Sequence, residues 1–136
     1  MHVSPSSLTL AELARFATAW GGHVLGPGDV PCRHVTQDSR RVQAGSVFAV
    51  RGGQNAHGLR FVEQAIERGA VGLLLEAQDV AAVRQLSPAS PLLVVEELER
   101  ALGPIAHAAL GFPCRQVSVS GITGTNGKSM IAVLCR

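Results

Sequence analysis

At 136 residues and 46% hydrophobic, the chain is long enough to bury one ordinary core. A formal net charge of +2 and five aromatics (four Phe and Trp20, no Tyr) give no reason to invoke nucleic acid or a membrane, and no apolar run reaches membrane-spanning length. Cys32, Cys114 and Cys135 are odd in number and at no metal-ligand spacing, and Met1 to Ser7 is polar, so the expectation is free thiols in a reducing cytoplasm.

Leu8 to Leu13 reads as a helix start. Thr9 as N-cap with Glu12 three residues on makes a capping box, and Leu8 against Leu13 makes a hydrophobic staple. Leu10, Leu13, Ala14, Ala17 and Trp20 continue the stripe until Gly21-Gly22 stop it, and Gly26 to Pro31 reads as a turn-rich connection. His34 to Arg40 is predicted as a strand running into a polar turn, and Ser46 to Val50 as a second strand. A polar glycine loop, Gly52 to Gly58, precedes Phe61, Val62, Ala65 and Ile66 at helical spacing, with Gly69 at the C-cap position. Ala70 to Leu75 is a continuous apolar run, as in a strand covered on both faces. Asp79 to Gln85 reads as a short helix, Pro91 to Val95 as a buried strand, and Glu96 to Leu110 as a helix kinked at Pro104. Strands alternating with helices predict an α/β domain over residues 1–111, and Gly111-Phe112-Pro113 separates it from residues 112–136.

The later stretch carries the clearest chemistry. Val117 to Ile122 reads as a buried strand, Gly121-x-x-Gly124-x-x-Gly127-Lys128-Ser129 as a glycine loop, and Met130 to Leu134 as a helix. Glycines let backbone N–H groups close on phosphate oxygens, Lys128 can reach the outer phosphates, and the Ser129 hydroxyl can ligate Mg²⁺. The usual pattern wants a glycine where Ile122 stands, so this is a variant, and a glycine-rich turn that merely precedes Lys-Ser is the plain alternative. Against that, Lys128 is the only lysine beside eleven arginines. A strand of this kind needs parallel neighbours from later βα units, so the chain reads as the front portion of a longer protein.

Three stretches together resemble one family: Asp38-Ser39-Arg40 with Gly45 to Ala49; Gly53 through His57-Gly58 with Phe61, Ala65 and Gly69-Ala70; and Gly121 to Ser129. The chain is similar to the Mur ligases, and among them to the MurE type, the UDP-N-acetylmuramoyl-tripeptide synthetases. The resemblance implies a small N-terminal domain that binds the UDP end of the substrate, followed by the first strand, P-loop and helix start of an ATP-binding domain. It implies ATP-dependent amide formation, in which the free carboxylate of UDP-MurNAc-L-alanyl-D-glutamate is phosphorylated and an amino acid's amine displaces phosphate. Gln37, Ser39, Gln54, Asn55 and Ala56 match positions that contact the UDP-sugar. Gly124, Thr125, Asn126, Gly127, Lys128, Ser129 and Met130 match the ATP phosphate loop, with Lys128 in the catalytic role and Ser129 holding Mg²⁺. Ser129 and Met130 stand where threonines are usual, and Glu96-Glu97 where an Asp usually ends the strand. The expected partners are the UDP-MurNAc-dipeptide and an amino acid, with no nucleic acid and no membrane, in a cytoplasmic, monomeric full-length enzyme; this chain alone should bind without turnover. Asp38 and Arg40 fit a pair that pins a turn, although Arg40 could also serve a diphosphate. His57 and His107 read as surface, cap or packing residues. Two other readings remain open, a MurF-type ligase and a P-loop nucleotide-binding module without ligase chemistry.

Overall fold

The computed structural model describes residues 7–52 and 58–134. Strand β1 (Leu8–Thr9) leads directly into α1 (Leu10–Arg15), and the predicted capping box forms. The Thr9 N–H donates to Glu12 Oε2 at 2.7 Å and the Glu12 N–H to Thr9 Oγ1 at 3.2 Å. The helix is shorter than its apolar stripe suggests: the chain tightens into a 3₁₀ turn at Thr18–Trp20, and Gly21 then takes φ 68°. Leu10, Leu13 and Ala17 are nevertheless fully buried: they follow one another at spacings of three and four, which keeps them on one face as the helix gives way to the turn.

The next strands are β2 (His23–Leu25), β3 (Pro31–Cys32), β4 (His34–Thr36) and, after a 3₁₀ turn at Ser39–Arg41, β5 (Ser46–Ala49). The 3₁₀ turn Gly58–Phe61 opens α2 (Val62–Glu67), and β6 (Ala70–Glu76) follows. Then come a 3₁₀ turn at Ala77–Asp79, α3 (Val80–Leu86), β7 (Leu92–Val95) and α4 (Leu98–Ala109), which continues through Pro104 as one helix. A 3₁₀ turn at Pro113–Arg115 and α5 (Lys128–Leu134) end the described chain.

Five strands form one sheet in the order β2-β7-β6-β5-β4, with every pair parallel except β2 against β7. β1 and β3 form a separate antiparallel ribbon. Alternation along each strand sorts the apolar side chains to two faces. Val47, Ala49, Leu74, Leu93 and Val95 meet Leu10 and Leu13 of α1 and Ala101 and Ile105 of α4. Phe48, Val50, Leu73, Leu75, Leu92 and Val94 meet Val62 and Ala65 of α2 and Val83 of α3. The result is a three-layer α/β/α unit. The continuous apolar runs of β6 and β7 are explained by helices on both sides.

At Glu96-Glu97, which stands where an Asp is usual, the Glu97 side chain makes no cap hydrogen bond to α4. The cap comes from across the sheet: Glu76, the last residue of β6, accepts the Leu98 N–H on Oε1 at 3.0 Å. A carboxylate there also complements the positive end of the α4 dipole.

The strand predicted over Val117 to Ile122 does not form. Among the described strands none lies beside this run, so its backbone groups have no ladder to join. Every residue from Pro113 to Leu134 is exposed, and Val119 is 70% exposed. The α/β class therefore holds for the first unit. Of the expected start of a second domain, the loop and the helix are present without their strand.

Candidate functional site

β4 and β5 run parallel and end on the same side of the sheet, where crevices in such sheets take ligands. Gln37 follows β4, and Arg51 and Gly52 lie just past β5. The turn Gly58–Phe61 closes over them. The Gly58 N–H donates to the Arg51 carbonyl at 2.7 Å, and a Cβ on Gly58 would stand 2.6 Å from the Arg51 nitrogen, so this approach requires glycine. Two adjoining clefts result. One of about 310 Å³ is lined by Gln37, Ala49, Arg51, Gly52, Gly58 and Phe61 together with Phe48. The other, of about 520 Å³, is lined by Gln37, Asp38, Ser39, Arg40, Phe61 and Gln64. Gln37 and Phe61 belong to both.

Ser39 is buried at the start of its 3₁₀ turn, which Asp38 caps by accepting the Arg40 N–H at 3.0 Å. The Arg40 side chain closes on the same carboxylate with Nε and Nη2 at 3.0 and 2.9 Å. The side-chain hydrogen bond from Arg40, followed by its backbone N–H, holds the Asp38 carboxyl down at about 2. The pair thus pins the turn that presents Ser39. Arg40 spends its fork on Asp38, which weakens the thought that it serves a diphosphate.

Of the predicted substrate residues, Gln37 and Ser39 are brought together in the second cleft. Gln54, Asn55 and Ala56, like His57, lie outside the described residues, but the chain on either side of them, Gly52 and Gly58, lines the first cleft. Sequence reasoning missed Arg51, whose Nη1 donates to Gln37 Oε1 at 3.3 Å while its Nε donates to Glu99 on the first turn of α4. Phe61 was noted only as a helix-face residue. The available signal was position: a cation and an aromatic flanking a polar glycine loop at the end of a parallel strand.

The phosphate-loop residues Gly124 to Met130 form a separate exposed stretch, and none of them lines either cleft. Gly124 and Gly127 take φ 145° and 76°, conformations that need glycine. The Ile131 N–H donates to the Gly127 carbonyl at 3.0 Å and starts α5, and Lys128 Nζ donates back to the Gly124 carbonyl. His107 is used structurally, with its ring edge-on to Phe112 and the Cys114 N–H directed at Nε2 at 3.4 Å. Cys32 and Cys114 are free thiols, and burial pushes the Cys32 thiol up to about 11. Among the described residues no cluster of three or more His, Cys, Asp or Glu could hold a metal, and no helix is long and apolar enough to cross a membrane.

The sequence model of the family described as "Mur ligase family, catalytic domain" matches residues 31–109, from β3 to the end of α4. The chain belongs to the Mur ligase family. Its curated relatives include the UDP-N-acetylmuramoyl-L-alanyl-D-glutamate–2,6-diaminopimelate ligase of Chromobacterium violaceum, 39% identical over 113 residues, 83% of this chain and 23% of that protein. Ligases of the same name from Listeria monocytogenes and Streptomyces avermitilis are each 34% identical, over 93% and 96% of this chain and 24% and 25% of theirs. The chain thus spans about a quarter of the length of these relatives. The Streptomyces match leaves out only 136 − 130 = 6 residues of this Mur ligase chain, so the glycine loop lies inside it.

Proposed function

We propose that residues 1–111 form the unit that binds the UDP end of a UDP-MurNAc-peptide for an ATP-dependent amide ligase. That ligase adds the third amino acid to UDP-MurNAc-L-Ala-D-Glu in peptidoglycan synthesis. The observation that carries the reading is the pair of adjoining clefts at the ends of β4 and β5, which share Gln37 and Phe61 and add Arg51 in one and Ser39 in the other. Amide, hydroxyl and guanidinium donors suit the oxygens of uracil, ribose and diphosphate, and an aromatic wall suits a base. The relatives' printed names make 2,6-diaminopimelate the amino acid to try first.

The loop's donor set fits a nucleotide triphosphate. Gly124 and Gly127 hold positive-φ conformations, Thr125 and Asn126 add polar side chains, and Met130 continues the helix. Lys128 would exchange its Gly124 carbonyl for phosphate oxygens, and the Ser129 hydroxyl would hold Mg²⁺. ATP, when bound, supplies the phosphoryl group that activates the substrate carboxylate. The chain's own part is to fix the UDP anchor in the cleft and to offset phosphate charge at the loop. We place this work in the cytoplasm, with the enzyme monomeric.

The test is a titration of UDP-MurNAc-L-Ala-D-Glu into the 136-residue chain, followed by NMR. Shifts are expected at Gln37, Ser39 and Arg51. Unperturbed signals there at millimolar ligand would sink the assignment. A P-loop module without ligase chemistry would instead respond to ATP or GTP and ignore the UDP-sugar.

A further inference from the structure

Gly111 and Phe112 stand one after the other in the left-handed region, at φ 73° and 57°. Gly111 is accounted for by the end of α4. Its N–H donates to the Ala108 carbonyl at 2.9 Å and the Phe112 N–H to the His107 carbonyl at 3.0 Å, the Schellman pattern that closes a helix on glycine. Phe112 is not accounted for in this way. The pattern asks for no left-handed residue after its glycine, a bulky side chain is disfavoured there, and Pro113 ordinarily keeps the residue before it extended. Among the described residues Phe112 is the one non-glycine at positive φ. Such a conformation persists only where its surroundings over-determine it. Here the hold comes from the ring. It meets Phe16, the C-cap of α1, at 5.2 Å between centroids, and His107, in the last turn of α4, at 5.4 Å, both edge-on. The Arg115 guanidinium lies over it at 4.4 Å.

The left-handed backbone turns the chain back on itself. The Arg115 N–H donates to the Phe112 carbonyl at 2.9 Å, the Gln116 N–H to the Pro113 carbonyl at 3.0 Å, and the Cys114 N–H reaches His107 Nε2 at 3.4 Å. The hydrogen bonds described beyond Gln116 lie within the later segment itself, so this turn is where its course is set. We propose that Phe112 is a positioning residue for the ligase: a ring latch that fixes the direction in which the chain leaves the first unit. That direction governs how the phosphate loop approaches the carboxylate of a substrate anchored in the clefts. The consequence for turnover rests on the function proposed above, whereas the latch rests on the contacts of Phe112 alone.

In the 136-residue chain, amide hydrogen exchange at Gln116 reports the latch. Phe112→Ala should speed it by about tenfold while the signals of β5, β6 and β7 stay in place, and Phe112→Tyr, which keeps a ring, should stay near wild type. Phe112→Asn separates ring from backbone, because asparagine tolerates the left-handed region and brings no ring. It should loosen the turn as alanine does, and wild-type protection there would overturn the role of the ring. Arg115→Met leaves the core alone and removes only the cation over the ring, so it should give a smaller rise. Unchanged exchange in both Phe112→Ala and Arg115→Met would overturn the latch. In the full-length ligase Phe112→Ala should lower kcat several-fold with KM for UDP-MurNAc-L-Ala-D-Glu unchanged, and Phe112→Tyr should restore it. A rise in KM alone would overturn the positioning role. A wild-type enzyme that does not turn that substrate over would sink the ligase reading and the positioning role with it, while exchange still decides whether the ring holds the turn.

Discussion

Leu74 and Val119 both sit in short apolar runs that read as buried strands, yet Leu74 is fully buried and Val119 is 70% exposed. The runs differ little in composition. What separates them is neighbours: Leu74 lies in β6, flanked by β5 and β7 and covered by helices on both faces, whereas no described strand pairs with Val117 to Ile122. A parallel strand makes none of its ladder bonds locally, so its existence depends on the rest of its sheet. The same contrast divides the two candidate sites. The cleft at Gln37 is held by packed strands and a pinned turn, whereas the described contacts of the glycine loop are local ones, Lys128 to the Gly124 carbonyl and the Ile131 N–H to the Gly127 carbonyl.

The contrast breaks most readily in the core. Leu74→Ala removes a side chain fully buried against α1 and α4 and should cost about 2–5 kcal/mol, measured by denaturant unfolding. Val119→Ala, at a largely exposed position, should change stability by less than about 0.5 kcal/mol. Similar losses for the two would mean that residues 117–122 dock on the first unit in solution. Lys128→Ala sharpens the functional side. It should leave the unfolding midpoint unchanged, while in the proposed full-length ligase it lowers turnover on the order of a hundredfold. A midpoint shift accompanying the activity loss would show that the loop supports the fold.

Much of the first unit was legible because its signals are local. The Thr9–Glu12 box, the double-faced runs of β6 and β7 and the 3.6-residue stripe of α4 each announce an element without reference to the others. β2 was not legible: His23–Leu25 is three residues long and owes its state to pairing with β7, some seventy positions away. The Glu76 cap of α4 was invisible for the same reason, since a helix start is read from its own neighbours and this carboxylate arrives from another strand. In the site, Ser39 and Gln37 could be named from motif resemblance. Arg51 could not, because its meaning lies in what it touches across the sheet, Gln37 and Glu99.

Local devices should accordingly be worth less than core contacts, and separately measurable. Thr9→Ala removes the acceptor for the Glu12 N–H and should cost about 1 kcal/mol. Glu12 is itself held below the ordinary carboxylate range, first by the Thr9 backbone N–H and then by its side chain, so part of this loss should vanish in acid. A loss above that of Leu74→Ala would place the organising contact of the first unit at β1 rather than in the sheet.

The smallest expected effect concerns the turn that presents Ser39. Asp38 is held at about 2 by the Arg40 side chain and backbone N–H, below its ordinary value of 3.8. A carboxyl with a depressed folded-state value binds protons less readily folded than unfolded. Its contribution to stability is therefore fully present above the ordinary value and is lost as pH falls from there through about 2. Because the pair is solvent-exposed, screening keeps that contribution small, and the sensitive measurement is local. Titration of the Asp38 carboxyl carbon by NMR should give a midpoint near 2. Raising salt should move it upward, since part of the shift is the Arg40 charge. The Ser39 amide should follow the same curve while Lys128 to Leu134 stay unchanged, because protonating Asp38 releases the turn and touches nothing in the exposed stretch. A midpoint at the ordinary value would mean that the Arg40 fork is free in solution, which would return Arg40 to the cleft as a cation available to a diphosphate.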